Sequence, residues 1–284
     1  MTAKPARIVD CHVHLWDPAN VEWYPYLSGG QQLNMGDTTG MQRRFDEPTY
    51  QRESDGWNVV ALVNVAAATG RHSVNETLAM ESRAGVAAIV GGLPPADSID
   101  EAIGFLDTQM QASKFRGVRP MGAKAPVVPE PEVLQALVAR ELVFDAMPRT
   151  EQLLDLAKGL TGHDDLTVVV EHTGWPRTGS DDEFAQWKPG IDALAALGPR
   201  VHCKLSGLAM PLGSMQADTF RPWIEHAIAA FGVDRCMFAS NFPVDGMHGT
   251  LDELFSTFVE LTAAMSDDER DKLFAANAAR VYRI

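Results

Sequence analysis

Two histidines separated by a single residue are the first sign of chemistry in this chain. His12 and His14 lie in residues 7–17, a run rich enough in apolar side chains to form a buried strand. Because side chains alternate between the two faces of a strand, we expect Asp10, His12 and His14 on one face, with successive Cβ atoms about 6–7 Å apart. Two imidazoles at this spacing can bind one metal ion, or they can hold a substrate carboxylate or a water molecule. The alternative is an edge strand whose histidines are solvated or satisfied in the core.

Polar residues able to do chemistry also end other apolar runs of the chain. Five of them are candidates for the same site: Arg119, His172, Lys204, Ser206 and Asn241. Folds with parallel strands place their active sites at the carboxyl ends of those strands. If the runs are strands of one sheet, these five side chains should meet His12 and His14.

The elements that must position these residues follow an alternating pattern. Predicted strands are residues 7–17, 59–66, 86–93, 115–120, 142–147, 166–172, 201–206 and 235–240. Predicted helices are residues 75–84, 98–113, 131–140, 151–160, 182–197, 218–231 and 250–265, and one more helix should lie late in the excursion before Val59. Right-handed βαβ crossovers repeated in this way close a parallel sheet into a barrel.

The pattern therefore predicts an α/β fold, a (β/α)8 TIM barrel. It should be a single domain spanning residues 1–284, because no linker, repeat or low-complexity tract divides the chain. A long aromatic loop follows the first strand at residues 18–48. An extra helix is predicted in residues 266–284, with Ser266 as its N-cap.

The composition of the chain limits which classes of partner it can bind. The net charge of −14 and the pI near 4.9 argue against binding to nucleic acid or to an anionic membrane, since both require a positive surface. Three cysteines give no disulfide framework and favour a reducing compartment. Residues 1–7 lack the apolar core of a signal peptide, and no apolar run is long enough to span a bilayer. We expect a cytoplasmic protein with a small-molecule substrate, and homo-oligomerisation stays possible.

Six short motifs, taken together and in order, carry a family resemblance. They are residues 10–17, 115–119, 171–176, 203–208, 240–244 and 277–280. In these the chain resembles the amidohydrolase-2 family over its whole length. It is most similar to the branch with 2-pyrone-4,6-dicarboxylate lactonase and fuconolactone-type sugar lactonases. The resemblance implies a (β/α)8 barrel that adds water to a lactone, ester or amide carbonyl.

The resemblance also implies roles for individual residues. His12 and His14 match a pair that binds metal in many members and holds substrate and water in metal-independent lactonases. His172 matches a histidine that polarises a carbonyl or shuttles a proton. Arg119, and less surely Arg116, match arginines that grip a substrate carboxylate. The two arginines are an odd number of positions apart, so a regular strand turns only one inward, and we favour Arg119. A salt bridge to a neighbouring acid is the alternative for this arginine.

The chain departs from the family pattern at two strands. Asn241 stands where the family has a metal-binding Asp, and residues 144–147 offer no histidine where metal-binding members have one. An amide cannot serve as a carboxylate base and is a poor zinc ligand. Our first expectation is therefore that no metal is required. The alternative is one divalent ion, zinc, bound by His12, His14 and His172 with Asp145 or Asp245 as a fourth ligand.

Without the family Asp, the base must come from another residue. Asp245 follows Asn241 by four positions and could reach the water, and His12 or His14 could also serve. Glu171 adjoins His172 and should face the opposite way, so we expect it to be structural. Arg119, Trp16, Asn241 and Ser206 are the predicted substrate-binding residues.

The predicted function is hydrolysis of a lactone or related cyclic ester, with a carboxylate on the substrate. Aromatic residues near the predicted mouth suggest a flat or ring-shaped ligand: Trp16, Trp23, Tyr24, Tyr26, Trp175 and Phe242. Two alternatives stay open. One is a metal-dependent decarboxylase of an aromatic or muconate-type acid, and the other is a barrel that binds a ligand without catalysis.

Overall fold

A computed structural model describes residues 3–28, 38–122 and 125–284. Eight parallel strands form one sheet in sequence order. Their bounds are β1 Ile8–Val13, β2 Val59–Val65, β3 Val86–Leu93, β4 Phe115–Pro120, β5 Val143–Ala146, β6 Val168–Val170, β7 Val201–Leu205 and β8 Cys236–Phe238. Each strand is rich in Val or other residues that suit a pleated, buried surface.

The sheet closes on itself at the ends of its first and last strands. Beyond β8, the Asn241 N–H donates to the carbonyl of His12 at 2.8 Å, and the His14 N–H donates to the carbonyl of Phe242 at 2.9 Å. Phe242 forms an isolated parallel bridge with Val13. These bonds confirm the predicted (β/α)8 TIM barrel.

Helices follow the strands as predicted. Their bounds are α1 Glu47–Glu53, α2 His72–Met80, α3 Ile99–Gln109, α4 Pro131–Ala139, α5 Leu153–Gly159, α6 Asp181–Ala196, α7 Ala209–Leu212, α8 Ala217–Phe231, α9 Leu251–Leu261, α10 Asp267–Asp271 and α11 Asn277–Tyr282. The helix expected before Val59 is α1. The short α7 was not predicted. Within the predicted loop at residues 18–48, residues 29–37 lie outside the described part of the chain. In the described ranges, no helix has the length and apolar character needed to cross a membrane.

Side-chain caps fix where several helices begin. A hydroxyl at the N-cap accepts a hydrogen bond from the backbone N–H three residues later in four of them: Ser98, Ser180, Thr250 and Ser266. Such a cap contributes about 1 kcal/mol to the free energy of unfolding. The predicted N-cap at Ser266 is confirmed, although the helical segment it opens is interrupted by a π-helical turn at Lys272–Ala276.

An apolar cluster fills the barrel and is completed by the end of the chain. It contains small and β-branched residues from six strands, which meet only inside the barrel, together with residues of the C-terminal segment. The contributors from that segment are Ala275, Ala278, Val281 and Tyr282. The extra C-terminal helix therefore packs against the barrel interior, and the fully buried Tyr282 reaches in among the strands.

Candidate active site

Both histidines point into the barrel because the pairing of the first strand with the second is irregular. The register of β1 with β2 shifts between Asp10 and Val13, and such a bulge breaks strict alternation. Asp10 is bonded elsewhere, because its carboxylate accepts from the Tyr50 hydroxyl of α1 at 2.6 Å and from the Ser240 N–H at 2.8 Å. The expectation that Asp10 shares a face with the histidines was wrong for this reason.

His12 and His14 meet at their ring nitrogens. The two Nε2 atoms are 3.2 Å apart, and His14 Nδ1 lies 2.8 Å from the carbonyl oxygen of Val65. Since a carbonyl only accepts, His14 carries its hydrogen on Nδ1 and keeps a lone pair on Nε2. Burial, assisted by the charge of Arg119, lowers the pKa of His14 to about 3, and burial also holds the pKa of His12 well below its usual value. Burial therefore favours the neutral form of both rings.

Glu171 and His172 enter the site together, although they are adjacent in sequence. Strand β6 ends at Val170, and the backbone then turns through a left-handed conformation at His172, with φ at 54°. Glu171 Oε1 lies 3.6 Å from His12 Nδ1, and Glu171 Oε2 lies 3.8 Å from His172 Nε2. The expectation that Glu171 faces away was wrong, because it assumed strand alternation through a residue where the strand has already ended.

The next strand makes room for His172. At Gly207, just after β7, a Cβ atom would lie 2.3 Å from His172 Nδ1, and φ is 64°. Only glycine fits that position without displacing the imidazole. Ser206 Oγ lies 3.1 Å from the same Nδ1, so the residue predicted to bind substrate is bonded to His172.

Arg119, and not Arg116, turns into the barrel, as the sequence predicts. Its Nη1 donates to Glu171 Oε2 at 3.3 Å, while its Nε is buried without a hydrogen-bond partner among the described residues. Arg116 bonds instead to the carbonyls of Ser113 and Phe115. The salt bridge to a neighbouring acid, weighed as an alternative for Arg119, is also present. Burial raises the pKa of Glu171, and Arg119 opposes that rise.

Asn241 connects His14 to Asp245. The Asn241 side chain is a hydrogen-bond partner of His14, and its Nδ2 donates to Asp245 Oδ1 at 3.1 Å. The Met210 N–H donates to the same oxygen at 3.2 Å, and Asp245 Oδ2 is buried with no partner in the described ranges. Burial raises the pKa of Asp245 to about 7. Asp245 is therefore placed behind Asn241, one side chain away from His14.

Sequence reasoning missed the role of a buried pair below the histidines. Lys204 Nζ lies 2.6 Å from Asp145 Oδ2, and both side chains are fully buried. Burial works against the charge of Lys204, but attraction to Asp145 and Glu171 outweighs it and raises the pKa of Lys204. Asp145, considered as a fourth zinc ligand, is thus occupied by an ammonium group. The signal in the sequence was the position of Lys204, two residues before Ser206 in the predicted strand at residues 201–206.

Aromatic residues form one wall beside the histidines. Trp16 is buried and stacks on His14 with ring centroids 5.7 Å apart, and Trp175 lies edge-on to His172 at 6.1 Å. Tyr26 donates its hydroxyl to the carbonyl of Ala67 at 2.9 Å. Phe242, in contrast, is buried and packs on the core rather than lining an opening.

The residues present fit a metal ion. One ligand atom each from His12, Glu171 and His172 lies within 4.8 Å of the others. The rings are neutral and able to donate lone pairs, and Glu171 Oε1 is buried without a hydrogen-bond partner among the described residues. The 3.2 Å between the Nε2 atoms of His12 and His14 is a spacing that two nitrogens at about 2.0–2.1 Å from one ion can have.

A similar solved protein contains zinc. An amidohydrolase from Burkholderia multivorans, solved with bound zinc, superposes with a TM-score of 0.81 at 25% identity, covering 98% of this chain and 100% of the other. Together with the cluster of His12, Glu171 and His172, this favours a divalent metal ion over the metal-free site expected first from the sequence. The metal-free expectation overlooked one possible metal ligand, because it placed Glu171 outside the site.

Curated relatives match nearly the whole chain. The uncharacterized protein y4mH of Sinorhizobium fredii is 34% identical over 304 residues, which covers 98% of both chains. An L-fucono-1,5-lactonase of Burkholderia ambifaria is 28% identical over 293 residues, which covers 97% of this chain and 95% of the relative. A family model described as amidohydrolase matches residues 9–284. With the barrel and the histidine cluster in place, the predicted resemblance is confirmed, and the chain belongs to the amidohydrolase family.

Proposed function

We propose that this protein hydrolyses a small lactone and uses one divalent metal ion, zinc, held by His12, Glu171 and His172 with His14 beside them. The observation that carries the proposal is the convergence of these three ligand atoms within 4.8 Å at the carboxyl end of the barrel. The full-length similarity to an L-fucono-1,5-lactonase supports a lactone as the substrate class. The proposed reaction therefore rests on the relative, and the proposed metal ligands rest on the geometry of the site.

A bound divalent ion would supply Lewis-acid polarisation of a carbonyl and would make a water molecule more acidic. His14 can accept a proton at Nε2, because its Nδ1 hydrogen is committed to the carbonyl of Val65. Once protonated, His14 would be stabilised by the side chain of Asn241, whose amide is held in turn by Asp245. Asp245 is therefore proposed to orient this path rather than to touch the substrate.

Arg119 is the group that would bind a carboxylate on the substrate. Its Nε has no hydrogen-bond partner among the described residues, and its side chain is 12% exposed. Part of its charge is already balanced by Glu171, so neutral lactones are proposed as substrates as well. Trp16 is buried with its indole stacked on the ring of His14, so it is proposed to hold that imidazole in place.

The test is metal analysis followed by hydrolysis of a lactone panel. Protein purified without added metal is assayed with neutral sugar lactones and carboxylate-bearing lactones, before chelation, after chelation and after zinc is returned. We expect about one equivalent of metal, with activity lost and then restored. His172→Ala should abolish activity, and His226→Ala, at a histidine bonded to Asp192 outside the site, should not. Hydrolysis that persists after complete metal removal would contradict the metal, and carbon dioxide release from aromatic acids without any lactone hydrolysis would contradict the reaction.

A further inference from the structure

The inner half of the site already contains a cation. Lys204 Nζ lies 2.6 Å from Asp145 Oδ2 and 3.5 Å from His12 Nδ1. Glu171 also attracts Lys204 electrostatically and is the third such group near the ammonium. An aspartate, a glutamate and a histidine are the residue types that bind divalent ions, so the ammonium is placed among groups that a metal would also attract.

This ammonium is held in place from below. The Tyr282 hydroxyl lies 3.0 Å from each oxygen of Asp145, and the Tyr282 ring centroid is 5.2 Å from Lys204 Nζ. All three side chains are fully buried. A buried salt bridge with its remaining hydrogen-bonding capacity filled does not rearrange at low cost. Lys204 is therefore a fixed charge.

We propose that Lys204 is the resident cation of this site and sets its affinity for a divalent metal ion by opposing an ion beside His12. Like charges a few ångströms apart repel strongly when water is excluded. The inference rests on the metal of the proposed function, but not on the lactone.

The hydrogen-bond directions reinforce this opposition. An ammonium only donates, so Lys204 directs a hydrogen to His12 Nδ1 at 3.5 Å. His12 then carries its own hydrogen on Nε2 and donates it to His14 Nε2 at 3.2 Å, and His14 donates from Nδ1 to Val65. In this arrangement the ring-nitrogen lone pair of His12 is on Nδ1 and faces the ammonium, so an ion at His12 must compete with that hydrogen bond. Without the ammonium, His12 can carry its hydrogen on Nδ1, because Glu171 Oε1 lies 3.6 Å away as an acceptor.

The experiment measures zinc affinity without substrate, by titrating metal-stripped protein against a competing chelator. Lys204→Met should bind zinc at least about tenfold more tightly than the unaltered protein, because the opposing charge is gone. Asp145→Asn should bind zinc at least about threefold more weakly, because Lys204 loses the counter-ion that screens it. Lys188→Met, at an exposed lysine of α6, is the matched control and should leave the affinity unchanged.

Opposite shifts in the two variants separate this role from a merely structural one, which would weaken binding in both. Equal or weaker zinc binding in Lys204→Met, or equal or tighter binding in Asp145→Asn, would overturn the proposal. Circular dichroism checks folding first, and if Lys204→Met does not fold, Lys204→Gln, which also removes the charge, is measured in its place and should bind zinc more tightly than the unaltered protein. If the unaltered protein hydrolyses lactones but zinc affinity does not change in these variants, only the role of Lys204 is refuted. The expected shifts without hydrolysis of any lactone would refute only the substrate class.

Discussion

Two buried pairs of opposite charge lie within one barrel and differ in how completely they are satisfied. In the inner pair, Asp145 is bonded by Lys204 and by Tyr282 at both oxygens. In the outer pair, Arg119 bonds Glu171, yet Arg119 Nε and Glu171 Oε1 have no partner within the described ranges. A buried polar atom without a hydrogen bond costs about 1–3 kcal/mol. The inner pair therefore supports the fold, while the outer pair keeps bonding capacity for a ligand.

The largest effect is expected when the outer carboxylate is removed. Glu171→Gln keeps the shape of the side chain but removes its charge, so kcat/KM for lactones should fall by about 10²–10⁴-fold. The free energy of unfolding should not fall, because a buried and only partly satisfied charge is lost. Steady-state kinetics and urea denaturation measure the two effects. Glu151→Gln, at an exposed glutamate, is the control, and a Glu171→Gln protein with full activity would end the distinction between the pairs.

Asp245 should make the stability of the protein depend on pH. Like Glu171 Oε1, its Oδ2 is buried without a hydrogen-bond partner in the part of the chain that the structure describes. Burial raises the pKa of Asp245 from 3.8 to about 7, so the folded state binds this proton more tightly than the unfolded state does. Below about pH 4 the group is protonated in both states and makes no difference. As pH rises from about 4 to 7 the unfolded state alone releases the proton, and stability is lost at up to about 1.4 kcal/mol per pH unit.

Asp245→Asn should remove this contribution. The variant should be as stable as the unaltered protein near pH 4 and more stable at pH 7, since an amide has no charge to bury. Denaturation at several pH values measures the difference between the two curves. Parallel curves would mean that Asp245 is ionised in the fold without cost.

Arg119 tests whether the open bonding capacity of the outer pair is used by substrate. In Arg119→Met, KM for carboxylate-bearing lactones should rise by roughly 10–100-fold, since a hydrogen bond between charged groups contributes about 1.5–3 kcal/mol. KM for neutral lactones should change less. Arg116→Met, on the same strand but bonded to backbone carbonyls outside the barrel, is the matched control. Equal changes for both substrate classes would remove the argument for an acidic substrate.

The outer site was largely predictable from the sequence. The barrel followed from eight alternating runs, and a barrel brings the carboxyl ends of its strands together. His12, His14, Arg119 and His172 were therefore expected to meet, and they do. Glu171 was missed because its direction depends on where β6 ends, and the left-handed turn at the next residue leaves no clear pattern in the sequence.

The inner pair was harder to predict. Lys204 and Asp145 occupy neighbouring stretches of the interior, but they lie on β7 and β5, which are not paired with one another. Tyr282 joins them from the end of the chain, 137 residues beyond Asp145. Such contacts depend on how the C-terminal helix packs, and local spacing carries no information about that packing.

The smallest effect is expected at Tyr282, and it should appear in stability rather than in catalysis. Tyr282→Phe removes a hydroxyl that donates to Asp145, and the free energy of unfolding should fall by about 1–2 kcal/mol. The change in kcat/KM should stay below about threefold, because the phenyl ring still fills the cluster and Lys204 still pairs with Asp145. Urea denaturation and steady-state kinetics on one preparation measure both quantities. A variant that keeps its stability but loses activity would reverse the assignment, since it would make the inner pair part of the catalytic machinery.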